Sequence, residues 1–462
     1  MNLFIDRGPV ALACAVMAAW AIPAHAADNA RTALSSPNPP QATVAELRQQ
    51  IQDMREQYEA RLRALEARIQ QLPDQASVEP APLPGEALAK PSSSSNGFNP
   101  AAAVILSGTY AHLQRDPSTW QMTGFHTGAS DVGPGVKGFS LGESELTLSA
   151  NVDPWWFGAL TVAFTPENKV SVEEAFVQTT ALSDGVALKV GRFLSGIGYL
   201  NEHHAHTWDF VDAPLAYQAF LGGQLKQEGL QARWLLPTER FMEVAAELGR
   251  GAGGHNGAGS AALMAHVGGD IGLSQSWRAG VSHLWTHPDG NTWQTSDTSA
   301  NAFAGRSQTW MLDGIWKWAP NGNASRTNLK LQGEYFRRRE RGTVVAGLDP
   351  QDAAVMGHPD SFASAQSGWY LQAVYQFMPR WRVGLRQDEL DPGDVDYASN
   401  NAVIDRPGQH PKRTSLMLDW SQSEFSRWRA QLNQDQSRLG ERDTQFYLQY
   451  QMSLGAHGAH GF

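Results

Sequence analysis

From about residue 100 to the C-terminus, apolar and polar side chains alternate in runs of roughly ten residues. The last run, Asp443 to Leu454, is the clearest. Phe446, Leu448, Tyr450, Met452 and Leu454 alternate with Gln445, Gln449, Gln451 and Ser453, and Tyr447 falls in the polar set. Period two is the period of a strand. Runs of this length with one greasy and one wet face suit a barrel that meets lipid outside and water inside. Beyond the N-terminus, no uninterrupted apolar run approaches the roughly 20 residues of a membrane helix.

Sixteen such runs can be marked: 101–113, 139–152, 156–165, 171–181, 186–194, 228–236, 240–249, 261–271, 276–285, 308–318, 327–338, 368–377, 380–390, 412–420, 426–435 and 443–454. Connections after even-numbered runs are short, as at Asp153-Pro154, Pro237-Thr238 and Met378-Pro379. Most after odd-numbered runs are long: 114–138, 195–227, 250–260, 286–307, 339–367 and 391–411. Short turns at one rim and long loops at the other predict a transmembrane antiparallel β-barrel of about 16 strands over 99–462, with the short rim periplasmic. Trp155, Trp156, Trp234, Trp285, Trp310, Trp381, Trp420 and Trp428 fall near run ends, where interfacial girdles want amphipathic rings.

Residues 1–26 read as a signal peptide, with Arg7, an apolar stretch from Val10 to Ile22 and Ala24-His25-Ala26 as the cleavage site. The only cysteine, Cys14, lies inside it, so the mature chain has no disulfide or thiolate chemistry. A linker (27–41) leads to Val44, Leu47, Ile51, Met54 and Tyr58, then Leu62, Leu65, Ile69 and Leu72, at spacings of three and four with charged flanks. That predicts a short N-terminal coiled coil over 42–73, placed in the periplasm, and self-association; a homotrimer is the preferred reading, although heptads alone do not fix the oligomer number. A single amphipathic helix is the alternative. A Pro- and Ser-rich flexible linker (74–98) follows. With 36 basic and 46 acidic residues, the net charge of -10 argues against a nucleic-acid partner.

Alternation also assigns faces. Arg380, Arg382 and Arg386 oppose Trp381, Val383 and Leu385; Arg427 and Arg429 oppose Trp428, Ala430 and Leu432; Lys330, Gln332 and Glu334 oppose Leu329 and Leu331. An arginine facing hydrocarbon at the midplane costs about 2–4 kcal/mol. These cations therefore line a wet lumen. Either they attract anionic solutes, or they pair with Asp313, Glu334, Asp388, Asp419 and Asp435.

The loop after the fifth run carries His203, His204 and His206, with Glu202, Asp209 and Asp212 beside them. Imidazole with carboxylate suits zinc, copper or nickel. His457 and His460 form a second pair in the tail. The loop should lie at the outer rim or fold into the pore, and the tail at the periplasmic rim, so one site built from both is not expected. Transient zinc capture at His203, His204, His206 and Asp209, with His457 and His460 as a separate group, is one reading. Ordinary loop hydrogen bonding, or gating by protonation, is the other.

The terminal Phe462 after an alternating strand resembles the insertion signal of bacterial outer-membrane proteins. Val190-Gly191-Arg192-Phe193, followed by a Gly-rich loop before the next strand, resembles the phosphate-selective porin family. That implies sixteen strands, an N-terminal coiled coil and trimers. Glu173-Glu174-Ala175-Phe176-Val177-Gln178-Thr179-Thr180, the stretch from His203 to Gly223 and the Gly-Ala-His-Gly-Ala-His tail resemble outer-membrane proteins labelled zinc-regulated TonB-dependent receptors. That resemblance implies a role in zinc-limited growth. Too little chain precedes the barrel for the globular plug of a true receptor, and no TonB box stands out, so a plug-free channel is physically simpler.

No Gly-x-Ser-x-Gly, phosphate loop or His-Glu-x-x-His occurs, so no enzyme is expected. The sequence therefore predicts a Gram-negative outer-membrane, porin-like channel for small solutes or metal ions, with no required cofactor. A TonB-coupled metal receptor and a structural envelope tether are the alternatives.

Overall fold

The computed structural model describes residues 100–126, 132–165, 169–251, 258–296, 299–348, 357–402, 404 and 408–455. The expected signal peptide (1–26), linkers (27–41 and 74–98), coiled coil (42–73) and tail histidines His457 and His460 lie outside the described residues.

The strands are β1 (Ala101–Leu113), β2 (Gly138–Ser140), β3 (Ser144–Asp153), β4 (Trp156–Phe164), β5 (Val170–Thr179), β6 (Val186–Leu194), β7 (Lys226–Leu235), β8 (Phe241–Gly249) and β9 (Ser260–Ile271). They continue as β10 (Gln275–Thr286), β11 (Asn291–Ser296), β12 (Ser299–Trp318), β13 (Asn328–Leu348), β14 (His358–Met378), β15 (Trp381–Asp396), β16 (Lys412–Ser423), β17 (Ser426–Asp435) and β18 (Asp443–Gly455). All eighteen belong to one sheet, and each ladder is antiparallel. Two do not add to the circumference. β2 pairs with the upper end of β1 just beyond β3, and β11 pairs with the upper end of β12 just beyond β10. Sixteen strands therefore make the wall. β1 closes it against β18, from Ala103 opposite Gly455 to Leu113 opposite Gln445. Closure leaves no sheet edge, as strands in lipid require.

Lipid-facing positions carry Leu160, Leu230, Trp234, Leu263, Trp310, Leu312, Leu371, Leu385, Leu416 and Trp428, all exposed. Rings meet across neighbouring strands at the short-turn rim: Trp381 stacks on Trp420 at 5.8 Å, and Trp428 meets Tyr450 tilted at 4.6 Å between centroids.

The structure departs from the sequence reading in three places. The run at 139–152 is broken, with β2 ending at Ser140 and β3 starting at Ser144. Parts of the loops read at 286–307, 339–367 and 391–411 are strand: β11 lies there, β12 starts at Ser299, β13 runs to Leu348, β14 starts at His358 and β15 runs to Asp396. In this upper wall the faces invert. Phe303, Val344, Ala346, Phe362, Tyr397 and Ile404 form an apolar cluster inside, while Arg337, Arg339 and Arg341 point out and are exposed. A greasy-outside template fails above the membrane, where the outside meets water.

Third, the lumen is not simply wet. The chain from Ser195 to Leu225 folds inward and packs an apolar core of Ile197, Leu200, Trp208, Leu215, Tyr217 and Phe220 against wall residues such as Met311, Phe336 and Leu390. Met122 and Phe125 join it from the first long loop. Of the two positions open to the His-rich loop, outer rim or pore, it takes the pore, and the barrel is narrowed by its own loop. The loop supplies the apolar surface that a separate plug would otherwise bring.

Candidate functional site

The inserted segment leaves the wall through a narrow neck. Ser195 N donates to Leu225 O at 3.0 Å. Asn201 Nδ2 donates to Ser195 O (2.7 Å) and Leu225 O (2.9 Å), and Asn201 Oδ1 accepts from Leu225 N (2.8 Å). This fully buried amide replaces the ladder that β6 and β7 no longer provide. Gly198 then turns the chain with φ 65°, and a Cβ there would lie 2.2 Å from Glu334 Oε2. Only glycine lets the backbone come this close. Glu334, buried on β13, accepts from Leu200 N at 3.0 Å, Tyr217 OH at 2.9 Å and Tyr370 OH at 2.7 Å. A short helix, α1 (Leu215–Leu221), ends at Gly222 in the left-handed region (φ 68°).

Between neck and helix the segment touches two walls of opposite charge. On the acidic wall, His204 Nε2 lies 3.0 Å from Glu174 Oε2, and its Nδ1 lies 3.2 Å from Glu173 Oε2 and 3.3 Å from Glu145 Oε2. His206 Nδ1 lies 2.9 Å from Glu145 Oε1. The two imidazoles face each other at 5.5 Å. Burial alone would lower the His204 pKa, but its hydrogen bonds to Glu145, Glu173 and Glu174 outweigh that and hold it well above the ordinary histidine value. Lys226 Nζ adds a cation 3.2 Å from Glu173 Oε1.

Glu173 and Glu174 are consecutive, so a regular strand would send them to opposite faces. The register slips here: Thr161 pairs with Glu174 and Val162 with Val172, leaving Glu173 as the extra residue of a bulge. Both carboxylates are buried. A bulge re-aims side chains in this way, and period-two reading cannot see it.

On the basic wall, Asp209 meets Lys330 at 2.5 Å and Arg382 at 3.1 Å. Asp212 meets Arg386 at 2.7 Å and Arg413 at 3.0 Å. Asp419 lies within 4 Å of Arg382, Arg427 and Arg429. Arg429 Nη2 donates to Trp208 O at 2.6 Å, and Arg427 donates to the carbonyl of His206.

The structure thus brings His204 and His206 together with Glu145, Glu173 and Glu174. His203 lies apart, with Nδ1 2.8 Å from Tyr199 O. Asp209 belongs to the opposite wall, because two cations claim it. Lys330, Arg382, Arg386, Arg427 and Arg429 line the lumen as paired groups. Arg386 and Arg413 flank Asp388, whereas Glu334 serves tyrosines and backbone amides. Arg380 does not line the lumen. It sits at φ 71° in the exposed turn between β14 and β15 and donates to Gln422 O, since two-residue turns demand left-handed backbone there.

No family model matches the chain. An uncharacterised protein of Aquifex aeolicus (strain VF5) is 31% identical over 348 residues, covering 71% of this chain and 70% of that protein. Among solved structures, a loop L8 deletion mutant of OmpT, an outer membrane protein of Vibrio cholerae, superimposes with a TM-score of 0.50 at 10% identity, covering 77% of this chain and 99% of that one. An anion-selective porin from Comamonas acidovorans gives a TM-score of 0.48 at 10% identity, over 77% and 99% of the two chains. At such identities the likeness is one of fold, and the first of these two carries it.

Proposed function

From the premise that this chain belongs to the same family as the uncharacterised Aquifex aeolicus protein, and that its fold is that of an outer-membrane barrel, we propose that it is a porin-like channel. Its lumen is throttled by its own segment 195–225, and it takes up small solutes, zinc or a similar divalent ion among them. One observation carries the metal reading: His204 and His206 meet Glu145 in a group whose ligand atoms lie within 4.8 Å of one another. Two imidazoles and a carboxylate are a donor set for zinc.

The fit is loose, which suits cargo better than a resident ion. Zinc wants its ligands at about 2.0–2.2 Å, so the group must close in on the ion. It must also give up the protons now shared between imidazole and carboxylate, so uptake at this point releases protons. Each lost His–Glu contact weakens the segment's hold on the acidic wall, which couples ion capture to the state of the throttle. The heptads of 42–73 would gather three such barrels.

Calorimetric titration of the detergent-solubilised full chain with zinc chloride tests this. His204→Ala with His206→Ala should abolish the binding heat, whereas His203→Ala should leave it unchanged because that ring bonds Tyr199 O. Undiminished affinity in the double variant would overturn the metal reading. A planar bilayer that stays closed under purified protein would overturn the channel.

A further inference from the structure

The outer face of β13 changes character along its length. From the short-turn rim upward it presents Leu329, Leu331 and Tyr335, then Arg337, Arg339 and Arg341. A tilted strand crosses the hydrocarbon in about 9–11 residues. Counted from Asn328, the arginines begin where the apolar band ends. The neighbouring rings mark the same level: Trp310 of β12 lies opposite Arg337, and Trp369 of β14 opposite Tyr335. Arg306 of β12 lies opposite Arg341, so both point outward.

All four arginines are exposed. Among the described residues, no ion pair joins any of them to a carboxylate within 4.0 Å. Like charges placed directly across a ladder are destabilising, so this arrangement wants an anion from elsewhere. The interior side chains of the same stretch, Phe336 and Val344, are fully buried. The strand is therefore held from within, and its outer face is free to bind. Beside the arginines, β14 offers only Ala363, Ala365 and Ser367, opposite Arg341, Arg339 and Arg337. Small side chains there leave a shallow trough along the guanidinium row. On the far side β15 turns acidic with Asp391 and Asp394, which confines an anion to β12–β14.

We infer that this row binds the phosphate groups of a lipid headgroup in the leaflet on the long-loop side. The guanidinium fork matches phosphate oxygens bidentately, and the row stands where headgroups of that leaflet begin. The inference rests on the barrel spanning a membrane and is independent of the metal site.

The test uses the full chain reconstituted in phosphatidylcholine vesicles doped with diphosphoryl lipid A, and native mass spectrometry of the lipid each barrel retains. Wild type retains the doped lipid. Arg337→Gln, Arg339→Gln and Arg341→Gln together weaken retention on the order of a hundredfold, since each basic side chain near an anionic surface contributes about a factor of five. The triple lysine variant keeps most of the binding because it keeps the charge. The substituted side chains are exposed, and retained heat-modifiable gel mobility verifies the folded barrel in every variant. Undiminished retention by the glutamine variant overturns the inference, as does equal retention of lipid A stripped of its phosphates. If inorganic phosphate or a soluble acidic peptide displaces the lipid at equal concentration, the row is a general anion or protein site and the lipid assignment fails.

Discussion

On one side of the lumen, His204 and His206 lean on Glu145, Glu173 and Glu174. A few residues further along the same segment, Asp209 and Asp212 are gripped by Lys330, Arg382, Arg386 and Arg413. The partners differ in permanence. Guanidinium and ammonium stay charged at any physiological pH, so the basic wall is a fixed anchor. On the proposed reading, imidazole exchanges its proton for a metal ion, which makes the acidic wall the releasable contact. The lesson is that a plug can be built from a loop when its charge alternates to match two opposed walls, and that only one of its two attachments is chemically adjustable.

The comparison breaks most sharply at Asp212. Removing it leaves Arg386 and Arg413, both almost fully buried, without a carboxylate they now share. Breaking a buried pair from one side costs about 3–5 kcal/mol. Asp212→Ala should therefore lower the urea midpoint of the detergent-solubilised barrel by that equivalent and raise its bilayer conductance as α1 loosens. A loss under about 1 kcal/mol, the range of a surface pair, would mean that the basic wall is not an anchor.

The neck turn, the pivot on which the segment enters the lumen before it reaches either wall, comes next. Gly198→Ala puts a methyl 2.2 Å from Glu334 Oε2 on a backbone with φ 65°, which should cost about 1–3 kcal/mol. Because Glu334 also holds Tyr217 and Tyr370, the loss should be seen in the same unfolding curve, with zinc heat unchanged. If the zinc heat falls as well, the two walls are coupled through the pivot and are not independent.

How far these features were legible from residues alone follows the physics of each. Strands β6 and β17 sit where alternation put them, because lipid outside and polar groups inside impose period two on every residue. β12 to β15 outrun their predicted ends because the rule reverses above the membrane, with Phe336 and Val344 inside and Arg337 and Arg339 outside. The histidine cluster announced itself by spacing. Its carboxylate partners did not, because Glu145, Glu173 and Glu174 come from other strands, and two of them share a face only through a bulge. Glu173-Glu174 inside a predicted strand was the available signal: consecutive buried acids need a bulge. Nearness along the chain says nothing about which side of a lumen a loop residue touches, and Asp209, three residues after His206, meets Lys330 and Arg382 instead.

On the releasable side the expected losses are smaller. His204→Gln keeps a polar side chain but gives up the charge-assisted bonds to Glu145, Glu173 and Glu174, for about 1.5–3 kcal/mol at neutral pH, less than at Asp212. A cost as large as that at Asp212 would erase the distinction between anchor and release.

The smallest effect belongs to a residue that alternation placed in the lumen. Arg380→Gln alters an exposed turn where the arginine side chain donates to the backbone carbonyl of Gln422, while the bond from Ser421 N to the Arg380 carbonyl is kept. Exposed substitutions of this kind stay within about 0.5 kcal/mol. The substituted side chain gives up only a little αL tolerance at φ 71°. Arg382→Gln, two residues on, strips a partner from both Asp209 and Asp419 and leaves two carboxylates buried with fewer cations. Measured side by side for unfolding and for anion-to-cation permeability ratio, Arg380→Gln should match wild type on both counts. Arg382→Gln should shift the ratio towards cations. Equal shifts from the two would place Arg380 in the conducting path and contradict the turn geometry that keeps it out.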